Sequence, residues 1–410
     1  MFPRFLLAAV TAAAMLPTLV SAAPLGLDQA LQLAAERSQI VRAASAGALG
    51  AAEAARAAGQ LPDPMLSVGI DNLPVTGPER LRTTTDSMTM KRIGISQEWV
   101  PSGKRALRTA AAQARVGREA ALRDEALAET RLQTALAYLD AYFASEALKL
   151  TELTEHHVHE ELEAAKARLA SATGSSQEVL ALTAARGVAE DDSAEVGQAQ
   201  EAALVALQRW IVMRPDSLAP PELPPTFDEA AYVASHPRVL AAQRELEVAR
   251  SEASVAASDR RPNWTWQLSY GQRTGLPDLM SFGVAIPLPV APAERQDRES
   301  AAKLAVVEQV EAKGEEAQRL ASAEFQSLAS DARRLQARAE RYRAAVLTIA
   351  QQRTQAALAG YRSNQVTLMT VFEARHAEVE AQRKQLALQR DLAKARAQLA
   401  FKPVALGSAR

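Results

Sequence analysis

The sequence predicts a mainly α-helical protein with a small β part, built from two copies of one structural unit. Three observations predict this fold class. Alanine accounts for 88 of the 410 residues and aromatic residues for only 4%, a composition typical of long helices. Helix-forming residues run without proline over 104–172 and 293–358. Short motifs also recur about 200 residues apart, which indicates an internal repeat.

The composition excludes several classes of function. The chain carries 47 basic and 48 acidic residues, a net charge of −1, so it has no basic field for nucleic acid. It has no cysteine, which rules out disulfides, thiolate metal sites, a cysteine nucleophile and an acylated N-terminal cysteine. Phosphate-binding glycine loops and the His-Glu-x-x-His and Gly-x-Ser-x-Gly motifs are also missing. We therefore expect no enzyme activity and no cofactor.

The N-terminus has the pattern of a secretory signal peptide, residues 1–22. Arg4 precedes a mostly apolar stretch, and Ala22 ends a Val-Ser-Ala triplet that suits a cleavage site. We expect cleavage after Ala22 and export from the cytoplasm, with an uncleaved anchor helix as the alternative. No later run of 18 apolar residues could cross an inner membrane as a helix.

The repeat divides the chain into two units separated by a connector. A helical motif that begins at Leu27-Asp28 returns at Phe227-Asp228, and the proline-rich stretch between the units cannot continue a helix. Each unit should contain a helix, such as one from about Asp28 to Gly59, then a strand pair and a long helical hairpin. The expected segments are a first unit at 23–213 with strands at about 64–72 and 90–99 and a hairpin at about 104–213, a connector at 214–226, a second unit at 227–402 with strands at about 262–271 and 280–288 and a hairpin at about 293–400, and a C-terminal tail at 403–410.

The four predicted strands have the pattern of membrane-crossing β-strands. Apolar residues alternate with small or polar ones, as in the segment 66–71. Each strand should have about 9–11 residues, the length that crosses a bilayer at a tilt. Three tryptophans near the helical ends of the strands would form an aromatic girdle at one interface: Trp99, Trp264 and Trp266. The alternative is a soluble sheet whose apolar face is buried.

Four strands cannot close a barrel, and the hydrocarbon core of a membrane does not tolerate open strand edges. Spanning strands would therefore be shared among chains, and three chains would give a 12-stranded barrel. A helix from Lys104 to about Ala172 would be roughly 100 Å long and must pack on neighbours as a coiled coil. Long helical hairpins below a shared barrel would therefore form a water-filled tube.

In these segments the sequence resembles the TolC family of outer-membrane efflux proteins, over essentially the whole mature chain. The second hairpin tip is similar to the family's Ala-Gly-Tyr…Asp-Val-Leu-Asp-Ala pattern and reads Ala359-Gly360-Tyr361, then Val371-Phe372-Glu373-Ala374. The first tip, 168–179, is similar to the family's Arg-Phe…Asp-Val. Within the family the sequence most resembles the heavy-metal ducts, of the copper/silver and cobalt-zinc-cadmium type, in the segments 61–66, 70–77, 88–94, 97–98 and 103–105.

The resemblance implies a homotrimer whose 12-stranded barrel spans the outer membrane of a Gram-negative cell and whose helices form a periplasmic tunnel. It implies docking on a periplasmic adaptor (membrane-fusion) protein joined to an inner-membrane efflux pump. Because the chain has no cysteine that could be acylated, we expect the barrel alone, without a lipid anchor, to hold it in the membrane. The implied cargo is a heavy-metal cation such as copper, silver, cobalt, zinc or cadmium. Drugs or other small molecules are the alternative cargo, and a soluble periplasmic scaffold or adaptor is a further alternative. The residues implied in tip gating and adaptor docking are Arg168, Gly174, Glu178, Gly360, Tyr361, Arg362 and Glu373.

One histidine cluster has a pattern that suits a borderline metal ion. His156 and His159 share a helix face, where two imidazoles could bind such an ion transiently. The alternative is a solvated helix face, because two ligands from one helix make a weak site. Asp191 and Asp192 have no evident partner in the sequence and are interpreted as solvated.

Overall fold

The computed structural model of the chain describes residues 23–404. The expected signal peptide and the end of the tail, residues 405–410, lie outside the described residues. The described part is mostly helical with one small β-sheet, which confirms the coarse fold class. No helix between residues 23 and 404 is both long enough and apolar enough to cross a membrane.

The order of elements is the same in the two halves of the chain: two helices, a strand pair and a long helical hairpin. The first half comprises α1 (Leu27–Arg37), α2 (Gln39–Ala57), β1 (Met65–Asp71), β2 (Met90–Trp99), α3 (Ser102–Ala170) and α4 (Ser176–Ile211). The second half comprises α5 (Glu229–Ala234), α6 (Pro237–Ser258), β3 (Trp264–Arg273), β4 (Leu279–Ala285), α7 (Gln296–Tyr342), a π-helical turn (Arg343–Leu347), α8 (Thr348–Arg362) and α9 (Leu368–Phe401).

The first helical segment breaks at Ser38. This residue has an extended backbone, and its hydroxyl caps α2 by accepting a hydrogen bond from the Val41 N–H at 3.3 Å. The same hydroxyl lies 3.3 Å from the Thr130 hydroxyl on α3. The expectation of one helix from Asp28 to Gly59 is therefore wrong. The helix is interrupted at Ser38, whose side chain caps α2 and contacts Thr130 on α3.

The four strands form one antiparallel sheet in the order β1-β2-β3-β4. β2 and β3 come from different halves of the chain and pair from Met90–Arg273 to Trp99–Trp264. β1 and β4 have seven residues each, fewer than the 9–11 expected. These outer strands are shorter because each has a single neighbouring strand within the described residues, so no second hydrogen-bond ladder extends them.

One face of the sheet is apolar and exposed across all four strands. The register aligns Leu66 with Ile95, then Ile95 with Leu268, then Leu268 with Phe282. These four side chains are between 39% and 71% exposed. The neighbouring row on the opposite face consists of Ser67, Gly94, Ser269 and Ser281. The alternation therefore separates an apolar face from a small, polar one.

Helix α3 is the centre of the helical part. Nearer the sheet it contacts α2 and α6, and α6 contacts α7. Farther from the sheet it contacts α4 and α9, and α9 contacts α7 and α8. The helices thus form two consecutive rows, α2-α3-α6-α7 near the sheet and α4-α3-α9-α8 at the far end. Among the described residues, α2 packs mainly against α3 and α8 mainly against α9, so each of these two outer helices has one principal helical neighbour.

A buried core lies where α1 packs against α3 and α4, and it contains Leu31, Leu139 and Leu207. The Tyr138 hydroxyl lies 2.7 Å from the carbonyl oxygens of Leu25 and Ala219. Burial raises the pKa of Tyr138 to about 12. This contact fixes the N-terminal segment beside the proline-rich connector, so the connector is part of the packed structure.

Candidate functional site

The two hairpin tips have the same turn. In the first, Ala172 adopts a left-handed conformation (φ 59°), and the N–H groups of Thr173 and Gly174 both donate to the Arg168 carbonyl at 2.9 Å. In the second, Asn364 is left-handed (φ 58°), and the Gln365 N–H donates to the Gly360 carbonyl at 2.8 Å. A hydroxyl then caps the returning helix, from Ser175 in the first tip and Thr367 in the second.

The two glycines expected at the tips lie where the turns close. A Cβ atom at Gly174 would lie 2.9 Å from the Leu169 nitrogen and 3.0 Å from the Arg168 carbonyl carbon. A Cβ atom at Gly360 would lie 3.1 Å from the Val366 side chain. Backbone cannot move aside as a side chain can, so Gly174 is the stricter requirement of the two.

Arg168 connects the two tips. Its guanidinium lies 3.5 Å from the Glu178 carboxylate across the first tip and 6.0 Å from the ring centroid of Tyr361 in the second. Tyr361 also packs against a buried apolar cluster that contains Leu162, Leu182 and Leu368. The structure therefore brings together three of the residues expected at the tips, namely Arg168, Glu178 and Tyr361.

Two other expected tip residues remain apart from this contact. Arg362 and Glu373 are both exposed, and neither forms an ion pair with any residue between 23 and 404. Both side chains are accessible to a partner.

A buried ion pair that sequence analysis missed lies above the tips. Arg375 on α9 donates to Glu161 on α3 at 2.8 Å, and only 5% of the Glu161 side chain is exposed. Burial raises the pKa of Glu161, although the charge of Arg375 opposes the shift. The second oxygen of Glu161 has no hydrogen-bond partner within residues 23–404. The second hairpin is thus held to the first by a desolvated charge.

Two further ion pairs join α9 to the first hairpin. Arg383 lies 3.3 Å from Asp192, and Lys394 lies 2.8 Å from Asp140. The interpretation of Asp192 as a solvated residue without a partner is therefore wrong. The partners are 191 residues apart in the first pair and 254 in the second. No local motif marks them, because only the register between two hairpins brings the charges together.

The histidine cluster is on the exposed surface of α3. The His156 Nε2 atom lies 3.3 Å from Glu160, and the His157 Nδ1 atom lies 3.5 Å from the other oxygen of the same carboxylate. His159 is exposed on the next turn. Among residues 23–404, no three or more histidine, aspartate or glutamate side chains are arranged to hold a metal ion. Within the described part of the chain, His156 and His159 therefore share an exposed helix surface without a third ligand.

The three tryptophans lie at the end of the sheet nearest the helices. Trp99 and Trp264 are register partners with ring centroids 5.8 Å apart. Trp266 follows two residues later on β3. Strand alternation places all three on the apolar face, where they form one aromatic level between the sheet and the helices.

Neither a family model nor a curated protein matches the chain in sequence. Solved structures match it in shape. The outer membrane protein VceC of Vibrio cholerae is 17% identical with a TM-score of 0.73, over 92% of this chain and 96% of that chain. A membrane protein from Pseudomonas aeruginosa is 16% identical with a TM-score of 0.75, over 92% and 90%. The open-state outer membrane channel MtrE of Neisseria gonorrhoeae is 18% identical with a TM-score of 0.73, over 98% and 97%.

The chain has the outer-membrane channel fold. Within this channel fold the sheet and the tips lie at opposite ends. Helix α3 connects them with 69 residues, about 100 Å of helix. The three tryptophans therefore lie towards the sheet end of the channel fold, and the contact between Arg168 and Tyr361 lies at the other end.

Proposed function

We propose that the chain is the outer-membrane duct of a tripartite efflux system. The observation that carries the proposal is the sheet, whose apolar face is exposed across four strands at one end of a fold shared with outer-membrane channels. A continuous apolar face of this kind requires lipid or another apolar surface to cover it. The tryptophans at its helical end suit a membrane–water interface.

The open edges of the chain support a ring of three copies. Within residues 23–404, β1 and β4 each leave one edge unpaired, which hydrocarbon does not tolerate. Because the left and right edges are different surfaces, the contact between copies would be head-to-tail, and only a closed ring would leave no strand edge open to hydrocarbon. Three copies supply twelve strands, which is within the range of membrane barrels. The outer helices also expose apolar side chains, namely Ile40 and Leu49 on α2, Leu304 on α7, Leu180 and Val188 on α4, and Ile349 on α8.

Each copy would be exported by the signal peptide 1–22 and would contain repeat units at 23–213 and 227–402. The tips would bind a periplasmic adaptor that joins the duct to an inner-membrane pump. The exposure of Arg362 and Glu373 supports this role. Neither side chain forms an ion pair within residues 23–404, so both charges are accessible to an adaptor. The duct itself would catalyse no reaction, and the pump would supply the energy.

The proposed cargo is a heavy-metal cation, of the copper/silver or cobalt/zinc/cadmium type. The resemblance of the strand and loop segments to heavy-metal ducts supports this cargo. The exposed His156 and His159 support it as well, since weak transient contacts suit a duct that must release what it carries.

Growth inhibition tests the proposal directly. A strain that lacks the chain is compared with the same strain after restoration, on copper, silver, zinc, cadmium and cobalt salts and on several hydrophobic drugs and a detergent. We expect sensitivity confined to the metals and reversed by restoration. Sensitivity to drugs and detergent alone would contradict the metal cargo but would still support an efflux duct.

Membrane fractionation tests the location. We expect the chain in the outer-membrane fraction, where its release requires detergent. Recovery with the soluble periplasmic proteins would contradict the duct and favour the scaffold.

A further inference from the structure

A run of arginines on α7 continues into the π-helical turn. The segment 331–343 contains five arginines and only two acidic residues. All five arginines are exposed, and none of them forms an ion pair within residues 23–404. A concentration of one charge favours a partner surface of the opposite charge. The five residues are Arg333, Arg334, Arg338, Arg341 and Arg343.

An acidic pair on α4 also lacks a counter-charge. Asp191 and Glu195 are exposed one helical turn apart, and neither forms an ion pair among the described residues. The acids next to Asp191 differ in this respect, because Glu190 and Asp192 both have basic partners within the chain. Like charges at this spacing destabilise a helix unless a cation lies beside them.

The acidic pair lies on the surface of α4 that faces away from the rest of the chain. Asp191 lies two residues after the buried Ala189. Glu195 lies two residues before Gly197, where α4 approaches the Leu148 side chain of α3. A step of two residues turns about 200° around an α-helix, so both acids point away from α3.

Arg341 has the corresponding position on α7, which packs against α9 at this level. Gln336 accepts a hydrogen bond from α9, and the buried Ala339 follows on the same side one turn later. Arg341 lies two residues after Ala339 and therefore points away from α9. Arg338 and Arg334 precede Arg341 by three and seven residues, so the three arginines form a stripe along the open edge of α7.

The acids and the arginines lie at similar heights along the molecule. The antiparallel register of α9 with α7 and α8 is defined by two hydrogen bonds, Thr354–Ala374 and Arg396–Gln336. Arg383 lies nine residues along the 22 that separate these bonds on α9, beside about residue 347 of the 18 opposite. Asp192 contacts Arg383, so Glu195 lies beside about residue 344. Arg341 is then about 5 Å nearer the sheet, within reach of an arginine side chain.

We propose that Asp191 and Glu195 of one copy bind Arg338 and Arg341 of the next copy, as a charged contact between α4 and α7. The contact rests on the proposed ring, because the ring brings the two open edges together and an axis along the helices keeps them level. Opposite charges on the two edges suit a head-to-tail contact, in which each copy contributes its acids on one side and its arginines on the other.

The charged contact would set the register between neighbouring copies. The edges around the charges carry small exposed side chains, such as Ala184 and Ala202 on α4 and Ala344 after α7. Alanine surfaces can slide past each other with little change in packing, whereas charges beside a helix seam fix the partner and its register.

Cross-linking of the full chain in detergent tests the contact. The chain has no cysteine, so Glu195→Cys with Arg341→Cys supplies the only thiols for a bismaleimide that spans about 10 Å, one interhelical distance. Within one copy α3 and α9 lie between the two helices, so these thiols are roughly 25 Å apart and only neighbouring copies can be linked. Glu195→Cys with Arg319→Cys is the control, because Arg319 is exposed on α7 about 33 Å nearer the sheet.

We expect covalent dimers and trimers from the first cysteine pair, and at least about tenfold less product from the control pair, whose thiols the linker cannot span. Light scattering on the same samples gives the size of the assembly. A trimer that is not cross-linked by the first pair would overturn the charged contact and leave the ring intact. A monomeric parent chain would overturn both.

Charge reversal tests the chemistry of the contact. Asp191→Arg with Glu195→Arg, and separately Arg338→Glu with Arg341→Glu, would place like charges across the interface. We expect the ratio of trimer to monomer to fall at least about tenfold in each reversed variant, and to recover when all four substitutions are combined. Glu190→Arg, on the flank of α4, should leave the ratio unchanged. An unchanged ratio in both reversed variants would overturn the contact. Membrane fractionation does not enter these measurements, so the contact and the duct fail separately.

Discussion

At the scale of single residues, the charged pair Glu161–Arg375 is unusual because it is desolvated. Most of the ion pairs in the described chain lie on exposed helix surfaces, as Arg56–Glu53 does, and such pairs contribute little to stability. Glu161 is buried, and one of its oxygens has no partner among the described residues. Removing its cation would leave an uncompensated charge in the hairpin interface.

Arg375→Ala should therefore destabilise the chain more than Glu161→Gln. We expect a loss of about 3 kcal/mol for the former, since breaking one side of a buried pair strands the other charge. The loss should shrink as the pH is lowered, because the raised pKa of Glu161 lets it become neutral. Denaturant unfolding followed by circular dichroism measures both effects, with the exposed Glu160→Gln as control. Equal losses from the two variants would contradict the prediction.

His236 is a second buried ionisable residue, at the start of α6. Its Nδ1 atom accepts a hydrogen bond from the Arg238 N–H at 3.3 Å, and its Nε2 atom lies 3.4 Å from Glu324. Lys402 pairs with the same glutamate, and the Tyr232 ring packs against the imidazole. Burial lowers the pKa of His236, and Lys402 adds to the shift while Glu324 opposes it.

Stability should decrease as the pH falls below about 6.5, the ordinary histidine value. Between that value and the lower pKa of the folded state, the unfolded chain binds more protons at His236, so acid favours unfolding. Melting temperatures between pH 8 and pH 5 measure the effect. His236→Gln should flatten this part of the profile, whereas the exposed His159→Gln should leave it unchanged. A profile that keeps its slope in His236→Gln would refute the assignment.

At the scale of elements, the tip turns carry local strain. Ala172 is left-handed without being glycine, a conformation that costs an L-residue roughly 1–2 kcal/mol. We expect Ala172→Gly to stabilise the first hairpin, partly offset by the greater freedom of glycine in the unfolded chain. Hydrogen exchange of the last turn of α3 would measure the gain. Ala170→Gly, within that turn, should act in the opposite direction by up to about 1 kcal/mol.

At the scale of the whole molecule, the two faces of the sheet should respond differently to charge. Phe282→Lys places an ammonium on the apolar face, and Ser281→Lys places one on the polar face of the same strand. A lysine facing lipid near the middle of a bilayer costs about 2–4 kcal/mol, whereas one facing water costs little. The amount of chain recovered from the outer-membrane fraction should therefore fall for Phe282→Lys alone. Similar recovery of the two variants would argue against a lipid-facing sheet.

Local patterns in the sequence were sufficient to predict the fold class and part of the candidate site at the hairpin tips. Alternation of apolar and small residues predicts strands and separates their faces, and proline-free alanine-rich stretches predict long helices. The break at Ser38 was not predicted, because its capping bond depends on a side chain that also suits a helix surface and on a contact with Thr130. The short outer strands were not predicted either, because their length depends on the number of neighbours.

By itself, the sequence determined the mainly helical class with a small sheet, because periodicity and backbone preference act over a few residues. Only the tertiary structure decided that β2 pairs with β3, that Arg168 lies over Tyr361, and that Asp192 faces Arg383. Each of these depends on the register between segments far apart in the chain, and that register is set by the packing of whole helices and strands rather than by any local pattern of residues.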